Sequence, residues 1–361
     1  MARNPKYLQL IEKAQNSVEY GENAEFHQVV ETAKQVLLSD DSRSKEILAA
    51  IKSIKEWVKK ARGITGAPPP PPDHPSENSN LPEALKESLE RAHAEELEKW
   101  QWYGVLETNE NGKLKYTADY DGTHEKNNQG ENFTGQSFEV PTISEVLTQL
   151  TPEQIELIKA MEAAGEEPRL QLTPLALNIR TLAGKLDVKK EAIGEPFTED
   201  TYVWDEIKDA ELIYEAASFQ ASEDGKELHT TNGLTKSQYI NKYGGWAIEI
   251  VATKQNLTDT KEGTNAQKTE KYMEEAIQKG YRGLTYESYL SAQMQRLKAD
   301  PENQLDKETF TILPDSNLTS PRDVATADWD VAQVDVTGSF ADHDNHTLRC
   351  RRSVRVGRSE A

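Results

Sequence analysis

The sequence predicts an α+β protein in which mainly helical regions precede a C-terminal domain of mixed helices and strands. Through most of the first half, apolar residues recur at the three- and four-residue spacing of amphipathic helices. Beyond Pro168 they come in short mixed runs between turn-forming residues, a pattern typical of an α+β domain. Composition changes as well, since all 28 lysines and 41 of the 42 glutamates lie at or before Glu308, and residues 309–359 contain neither.

Charge and composition exclude several classes of protein. The net charge of -20 opposes binding to nucleic acid, whose phosphates would be repelled. The sequence has no run of 18 apolar residues and no apolar signal-peptide core after Met1. The single cysteine, Cys350, excludes an internal disulfide and a cysteine-based zinc cluster. We therefore expect a cytoplasmic protein that binds neither nucleic acid nor membranes.

The first predicted module is a helical bundle over residues 1–66. Apolar residues fall at helical spacing in three segments, and turn-forming residues separate the segments at 20–23 and 39–42. Five prolines, Pro68–Pro72, then predict a proline-rich linker over residues 67–80, because consecutive prolines favour an extended polyproline helix. The same prolines could instead be a ligand for an aromatic groove. Acidic amphipathic helices suit a tether, or an oligomer formed through the N-terminal helices.

Residues 81–195 are predicted to be a mainly helical middle region. Leu81–Tyr103 is rich in Glu and Lys with apolar residues along one side, which predicts a helix. Gly104–Gly135 is rich in Asn, Gly, Asp and Thr and indicates a hairpin with loops, or an insertion. Thr142–Ala163 is helical again. Within it Thr151–Gln154 combines an N-cap, a proline at the first helical position and a capping glutamine, so a new helix starts there.

Residues 196–361 are predicted to form the C-terminal domain. Thr201–Trp204 indicates a short strand, and Gly245–Val251 is the strongest strand pattern in the chain. Thr285 is the predicted N-cap of a helix with a buried stripe. Phe310–Leu313 follows as a strand that ends before a proline.

The last predicted strand has an arginine on its apolar face. One face carries Leu348, Cys350, Arg352, Val354 and Val356. Either Arg352 is buried and paired with a carboxylate, or a bulge near Arg351 turns it outward. We favour a structural role for Arg352 over contact with a ligand.

Sequence motifs of catalysis and of nucleotide binding are absent. The chain contains neither a glycine-rich phosphate loop nor the HExxH and GxSxG signatures. The segment Asp342–His346 is the one local cluster with metal-ligand chemistry, but it lacks EF-hand spacing and the cysteines of a zinc finger. We expect an exposed polar loop there. The sequence thus predicts no catalytic residue, no metal site, no cofactor and no enzyme activity.

Four segments follow one another from Leu284 onward: Leu284–Leu290, Thr309–Leu313, the polar stretch around Trp329, and Leu348–Val356. Their order resembles the C-terminal half of C-type-lectin-fold variable proteins, the targets of diversity-generating retroelements. Formylglycine-generating-enzyme-like proteins share this fold. The resemblance implies a C-type-lectin-like C-terminal domain. The related oxidases work through paired cysteines, which this chain lacks.

In that family, adenine-directed mutagenesis rewrites surface residues of the C-terminal segment. Randomised adenines in an asparagine codon cannot give Lys, Glu, Gln, Met or Trp, and between Ser316 and Thr347 only Trp329 and Gln333 belong to that excluded set. These two would be framework residues. The lysine- and glutamate-free composition has a simpler explanation too, since both residues are depleted in strands. The predicted variable, ligand-facing residues are Asp323, Thr326, Asp328, Asp330, Asp335, Thr337, Ser339, Asp342, His343, Asp344, Asn345 and His346.

The resemblance implies a ligand-binding protein that displays a diversified C-terminal surface to a protein or other macromolecular ligand. Because the segment has few aromatic residues and many aspartates, either weak binding or binding of basic ligands is expected. One alternative is a phage or cell-surface assembly component, an adhesin that uses a fixed C-type-lectin-like domain. Another is a hydrolase built on Asp342, His343 and His346.

Overall fold

The computed structural model describes residues 81–125, 130–208, 212–254, 263–302, 304–307, 309–330, 332–344 and 347–357. The predicted helical bundle, residues 1–66, and the predicted proline-rich linker, residues 67–80, lie outside the described residues. Within the described ranges, no helix is long and apolar enough to cross a membrane.

The described residues form both helices and strands, with six consecutive strands at the C-terminal end, which confirms the predicted α+β class. The helices α1 to α9 span Glu83–Trp102, Ile143–Gln149, Pro152–Ala163, Ile179–Asp187, Lys190–Ile193, Asp205–Lys208, Lys236–Tyr243, Asn265–Gln278 and Tyr286–Ala299. The strands β1 to β15 span Glu107–Thr108, Leu114–Thr117, Ser137–Glu139, Pro168–Pro174, Tyr202–Val203, Leu212–Tyr214, Ser218–Ala221, Leu228–Thr231, Trp246–Ala252, Phe310–Ile312, Ser316–Leu318, Asp323–Asp330, Gln333–Phe340, Leu348–Cys350 and Ser353–Val356.

Three antiparallel strands form the central sheet, in the order β4-β9-β15. Every residue of the middle strand β9 is buried, so the strand predicted over Gly245–Val251 is confirmed as the centre of the core. Leu170 of β4 and Val354 of β15 both pair with Ile250. A strand that is buried on both faces needs cover on both sides of the sheet.

The predicted boundary at residues 195/196 does not separate two bodies in the structure. Strand β4 comes from the predicted middle region, yet all seven of its residues pair with β9 of the C-terminal domain. Helices α1 and α9, one from each side of the boundary, both pack against β4. The described residues on the two sides of this boundary therefore share the central sheet and the larger apolar cluster, because a strand with an apolar face has to be covered wherever its covering elements lie in the sequence.

Helix starts follow their capping residues. The Thr151 hydroxyl accepts a hydrogen bond from the backbone N–H of Gln154, and the Gln154 side chain accepts one from the N–H of Thr151, which completes the predicted capping box of α3. Thr285 caps α9 by accepting from the N–H of Ser288 at 3.1 Å, as predicted. Both threonines have extended backbone conformations, as N-cap residues do.

A second sheet holds the residues predicted to face a ligand. Its strand order is β14-β10-β12-β13-β5, and its centre is the antiparallel hairpin β12–β13. The hairpin pairs eight residues on each strand, from Asp323 with Phe340 to Asp330 with Gln333. Strand β5 extends the sheet beside β13, and β10 pairs with β12, so the predicted strands in Thr201–Trp204 and Phe310–Leu313 are confirmed.

The chain passes from the second sheet to the central one at Arg351 and Arg352. Strand β14 pairs with β10, whereas β15, three residues later, pairs with β9. At this crossing the Arg352 guanidinium donates to both carboxylate oxygens of Glu166, at 2.6 and 2.5 Å. The structural role predicted for Arg352, pairing with a carboxylate, is confirmed, and the side chain is half-buried. The single last strand predicted over Leu348–Val356 is wrong, because the chain changes sheets between β14 and β15.

Arg355 has a larger set of partners that the sequence did not indicate. Its buried guanidinium contacts Glu215 at 2.6 Å, Glu249 at 3.1 Å and Asp315 at 3.1 Å. Burial raises the pKa of Asp315 to about 6, although Arg355 and Arg282 lower it. A guanidinium can serve three carboxylates because it presents five donors in a planar fork.

Candidate ligand-binding surface

The hairpin β12–β13 presents one apolar and one polar face. Side chains alternate along a strand, and directly paired residues of two strands share a face. The residues on the polar face, which we call the hairpin face, are Val324, Thr326, Asp328, Asp330, Gln333, Asp335, Thr337 and Ser339. The opposite face packs into the core through Ala325, Ala327, Trp329, Val334 and Val336. Six of the twelve predicted ligand-facing residues therefore lie together on the hairpin face.

Packing covers the hairpin face near the open end of the hairpin. Val324 belongs to an apolar cluster formed by residues of α8, β7, β8, β10 and β14. Thr326 is only 1% exposed, and its hydroxyl lies 3.2 Å from that of Thr337. The Ser339 hydroxyl accepts a hydrogen bond from the Asn265 side chain at 3.0 Å. Thr326 is therefore a packing residue in this structure, because the covering elements leave no room for a ligand above it.

Three aspartates occupy the other end of the hairpin face, next to the turn. Asp328 and Asp335 pair directly across the hairpin, and Asp330 is two residues beyond Asp328. Burial first, and then the charges of Asp335, Asp330 and Asp306, raise the pKa of Asp328 to about 7. Burial and Asp330 raise the pKa of Asp335 to about 6, against a hydrogen bond from Gln333 at 2.8 Å.

Asp328 lacks the side-chain partners that other buried carboxylates of the fold have. It is 8% exposed, yet among the described residues no side chain forms a hydrogen bond or ion pair with its carboxyl group. Buried carboxylates are normally paired or hydrogen-bonded, as Glu249 and Glu166 are with arginines here. A carboxyl group in this position would gain from a cation supplied from outside the chain.

Two exposed aromatic side chains flank these aspartates. Tyr202 of β5 is in register with Asp335 and is 45% exposed. Thr311 pairs with Ala327, which places the preceding Phe310, 36% exposed, beside Asp328. The row across the sheet therefore runs aromatic, acid, acid, aromatic. We define the acidic–aromatic patch by its residues: Tyr202, Phe310, Asp328, Asp330 and Asp335.

Sequence reasoning missed both aromatic members of this patch. Tyr202 lies more than a hundred residues before Asp328, and Phe310 lies before Asp323, the first of the predicted ligand-facing residues. The available signal was strand periodicity, since each residue begins a short strand. Only the strand order of the sheet shows that they lie beside the hairpin face.

The other predicted residues lie away from this patch. Asp323 faces the opposite side of β12, since it is an odd number of residues from Asp328. Asp342, His343 and Asp344 are exposed and follow the open end of the hairpin, where Lys268 pairs with Asp344 at 2.6 Å. Asn345 and His346 lie outside the described residues.

A metal site was not expected at the Asp342–His346 loop. Across the described ranges, no group of three or more His, Cys, Asp or Glu side chains could hold a metal ion. The His343 ring makes an edge contact with Phe340, with ring centroids 5.3 Å apart.

The two predicted framework residues have different environments. Trp329 is buried and packs against Phe197, with ring centroids 6.0 Å apart. Gln333 is half-buried on the hairpin face and donates to Asp335. A tryptophan in the core cannot be replaced freely, whereas Gln333 contributes by orienting a neighbouring carboxyl group.

Comparisons with protein-family models, curated proteins and solved structures find no match to this chain. The chemistry of the acidic–aromatic patch is therefore the basis for assigning a function.

Proposed function

We propose that the protein binds a basic macromolecular ligand through the acidic–aromatic patch of a C-type-lectin-like domain. The observation that carries this proposal is the Asp328 carboxyl group, which is buried without a cationic partner among the described residues and lies beside Asp335. Exposed Tyr202 and Phe310 stand on either side of the pair.

Lysine and arginine side chains match this chemistry. A carboxylate pairs with their positive charge, and an aromatic face attracts the same charge through its quadrupole. Aromatic residues also supply much of the binding energy in protein interfaces. The ligand class is therefore a lysine- or arginine-bearing protein segment.

The order of elements supports the C-type-lectin-like assignment. Strand β9 is followed by the helices α8 and α9 and by the hairpin β12–β13. Strand β15 then returns antiparallel to β9, so the chain after β9 ends beside that strand. This return, with the order of segments from Leu284 onward, supports the C-type-lectin-like assignment.

Alternation along the hairpin supports a surface that can be diversified. Ala325, Ala327 and Val334 hold the hairpin to the core, while Asp328, Asp330 and Asp335 lie on the opposite face of the hairpin. A substitution on the hairpin face near the turn leaves the core contacts intact, because neighbouring residues on a strand point to opposite sides. One scaffold could therefore carry many ligand surfaces.

The nucleotide sequence beside the gene tests diversification. We expect a near-copy of the segment coding for residues 309–356, with adenines aligned to the codons of Asp328, Asp330 and Asp335. The codons of the core residues Ala325 and Ala327 should lack such adenines. Adenines aligned with the core codons would contradict diversification, and the absence of any repeat would favour the fixed adhesin.

Binding to peptides tests the patch itself. We expect Asp335→Asn to weaken binding of an arginine-rich peptide about tenfold, since the substitution removes one carboxylate of the pair. Asp342→Asn is the matched control, because it removes the same charge from an exposed site at the other end of the hairpin. Isothermal titration of both variants gives the comparison. Equal losses would mean nonspecific attraction to an acidic protein and would overturn the assignment.

A further inference from the structure

A cavity of about 310 Å³ lies between helices α1 and α9, beside the start of β4 and the end of β9. No residue of the hairpin face or of the acidic–aromatic patch lines it. Four arginines do line it: Arg91, which is exposed, and three that are buried or half-buried, Arg169, Arg296 and Arg351. We call this space the arginine cavity.

The three arginines have few anionic partners. Arg351, 3% exposed, pairs with Asp306 at 2.9 Å and donates to the Thr253 carbonyl at 2.8 Å. Arg169 pairs with Glu95 at 2.5 Å. Arg296 donates only to the Thr253 carbonyl, at 3.4 Å, and no carboxylate of the described residues lies within ion-pair distance of it.

Three buried polar atoms without hydrogen-bond partners belong to residues that line the cavity. The Nε atoms of Arg169 and Arg351 and the Oε1 atom of Gln295 are buried without a hydrogen-bond partner among the described residues, and all three residues line the cavity. Such atoms are uncommon in folded proteins and indicate a bound molecule or ordered water. Two donors and one acceptor would fit an oxyanion that also carries a hydroxyl group.

The positive charges of Arg169 and Arg351 are close enough to Arg296 to repel its guanidinium. Burial lowers the pKa of Arg296, and the positive charges of Arg351 and Arg169 lower it further. An anion placed among the three would relieve both effects.

Acidic residues also line the cavity and restrict what can enter. Glu95 pairs with Arg169, Glu96 with Lys99, and Glu167 with Lys254, while Asp300 is exposed at the edge. These pairs satisfy Glu95, Glu96 and Glu167 within the chain, and Asp300 accepts a hydrogen bond from the backbone N–H of Glu302 at 3.2 Å. Of the three buried or half-buried arginines, Arg296 is therefore the one whose charge remains for a ligand.

We propose that the arginine cavity binds the carboxylate or phosphate group of a small molecule. The planar guanidinium fork matches the two oxygens of either group. A volume of about 310 Å³ is at the lower end of small-molecule sites, so the ligand has few atoms beyond its anionic group.

Titration of the full chain with inorganic phosphate and, separately, with succinate at constant ionic strength tests the site. We expect saturable heat and a rise in Tm with one of the two anions, which identifies the anionic group. Arg296→Gln should weaken that binding at least tenfold. Lys298→Gln is the matched control, since Lys298 lies on the same helix but pairs with Glu98 outside the cavity.

Two results would overturn the proposal. One is the absence of saturable binding by either anion, which would mean that water satisfies the cavity. The other is equal binding by Arg296→Gln and the unmodified chain. If Arg296→Gln does not fold, Arg296→Lys keeps the charge but loses the fork, and it should still bind more weakly than Lys298→Gln.

Discussion

At the scale of single residues, the molecule uses charge in two different ways. Two buried arginines of the C-terminal segment have carboxylate partners, since Arg351 pairs with Asp306 and Arg355 with Glu249. Asp328 is nearly as buried but has acidic neighbours instead. The arginines stabilise the fold, whereas Asp328 costs stability when it is ionised, which is a common feature of functional sites.

Asp328 should make folding stability depend on pH. The pKa of Asp328 is about 7 in the folded protein, against about 4 in an unfolded chain. Its contribution is fully present below pH ~4 and is lost as pH rises through ~7, because the folded state must then ionise a buried group. We expect Asp328→Asn to stabilise the protein by on the order of 2 kcal/mol at pH 8 and by almost nothing at pH 4.

Urea denaturation of both proteins at the two pH values measures this difference. The exposed Asp342→Asn should change the free energy of unfolding little at either pH. A stabilisation by Asp328→Asn that is the same at pH 4 and pH 8 would show that packing, and not ionisation, is responsible.

At the scale of helices and strands, local patterns predicted most boundaries, but pairing required the structure. The capping residues Thr151 and Thr285 fixed two helix starts, since an N-cap acts within one turn of its helix. Local patterns did not predict which strands pair. Tyr202 lies beside the hairpin face only because β5 pairs with β13, more than a hundred residues later, and no local pattern specifies such a contact.

The N-cap of α3 gives a prediction at this scale. Thr151→Ala removes a hydroxyl that accepts from the N–H of Gln154 at 3.2 Å, so we expect a loss of about 1 kcal/mol in the free energy of unfolding. Thr148→Ala, in the last turn of the preceding helix, removes a hydroxyl that bonds only a helix carbonyl and should change stability by less than about 0.5 kcal/mol. Equal effects of the two substitutions would show that α3 does not depend on its cap.

At the scale of the whole molecule, the described residues before and after residue 195 share the larger apolar core. The sequence suggested a division after residue 195 because helical periodicity gives way to mixed runs beyond Pro168, on the approach to the C-terminal domain. Periodicity records the type of each element and not its neighbours, so it could not show that β4 pairs with β9. For the same reason, the sequence predicted only part of the candidate ligand surface. Its aspartates lie close together in the sequence, whereas its aromatic residues do not.

This shared core predicts how fragments of the chain behave. A fragment of residues 196–361 lacks β4 and α1, so one edge of the buried strand β9 loses its partner and Ile250 loses the cover of Leu170. Unpaired backbone groups and exposed apolar surface at the centre of the sheet both oppose folding. We expect this fragment to lack a cooperative thermal transition by circular dichroism.

A fragment of residues 78–361 contains the whole compact unit and should unfold in a single transition. Cooperative unfolding of the shorter fragment at a similar Tm would show that β9 and β15 form a core without β4, and that the domain boundary indicated by the sequence is a real one.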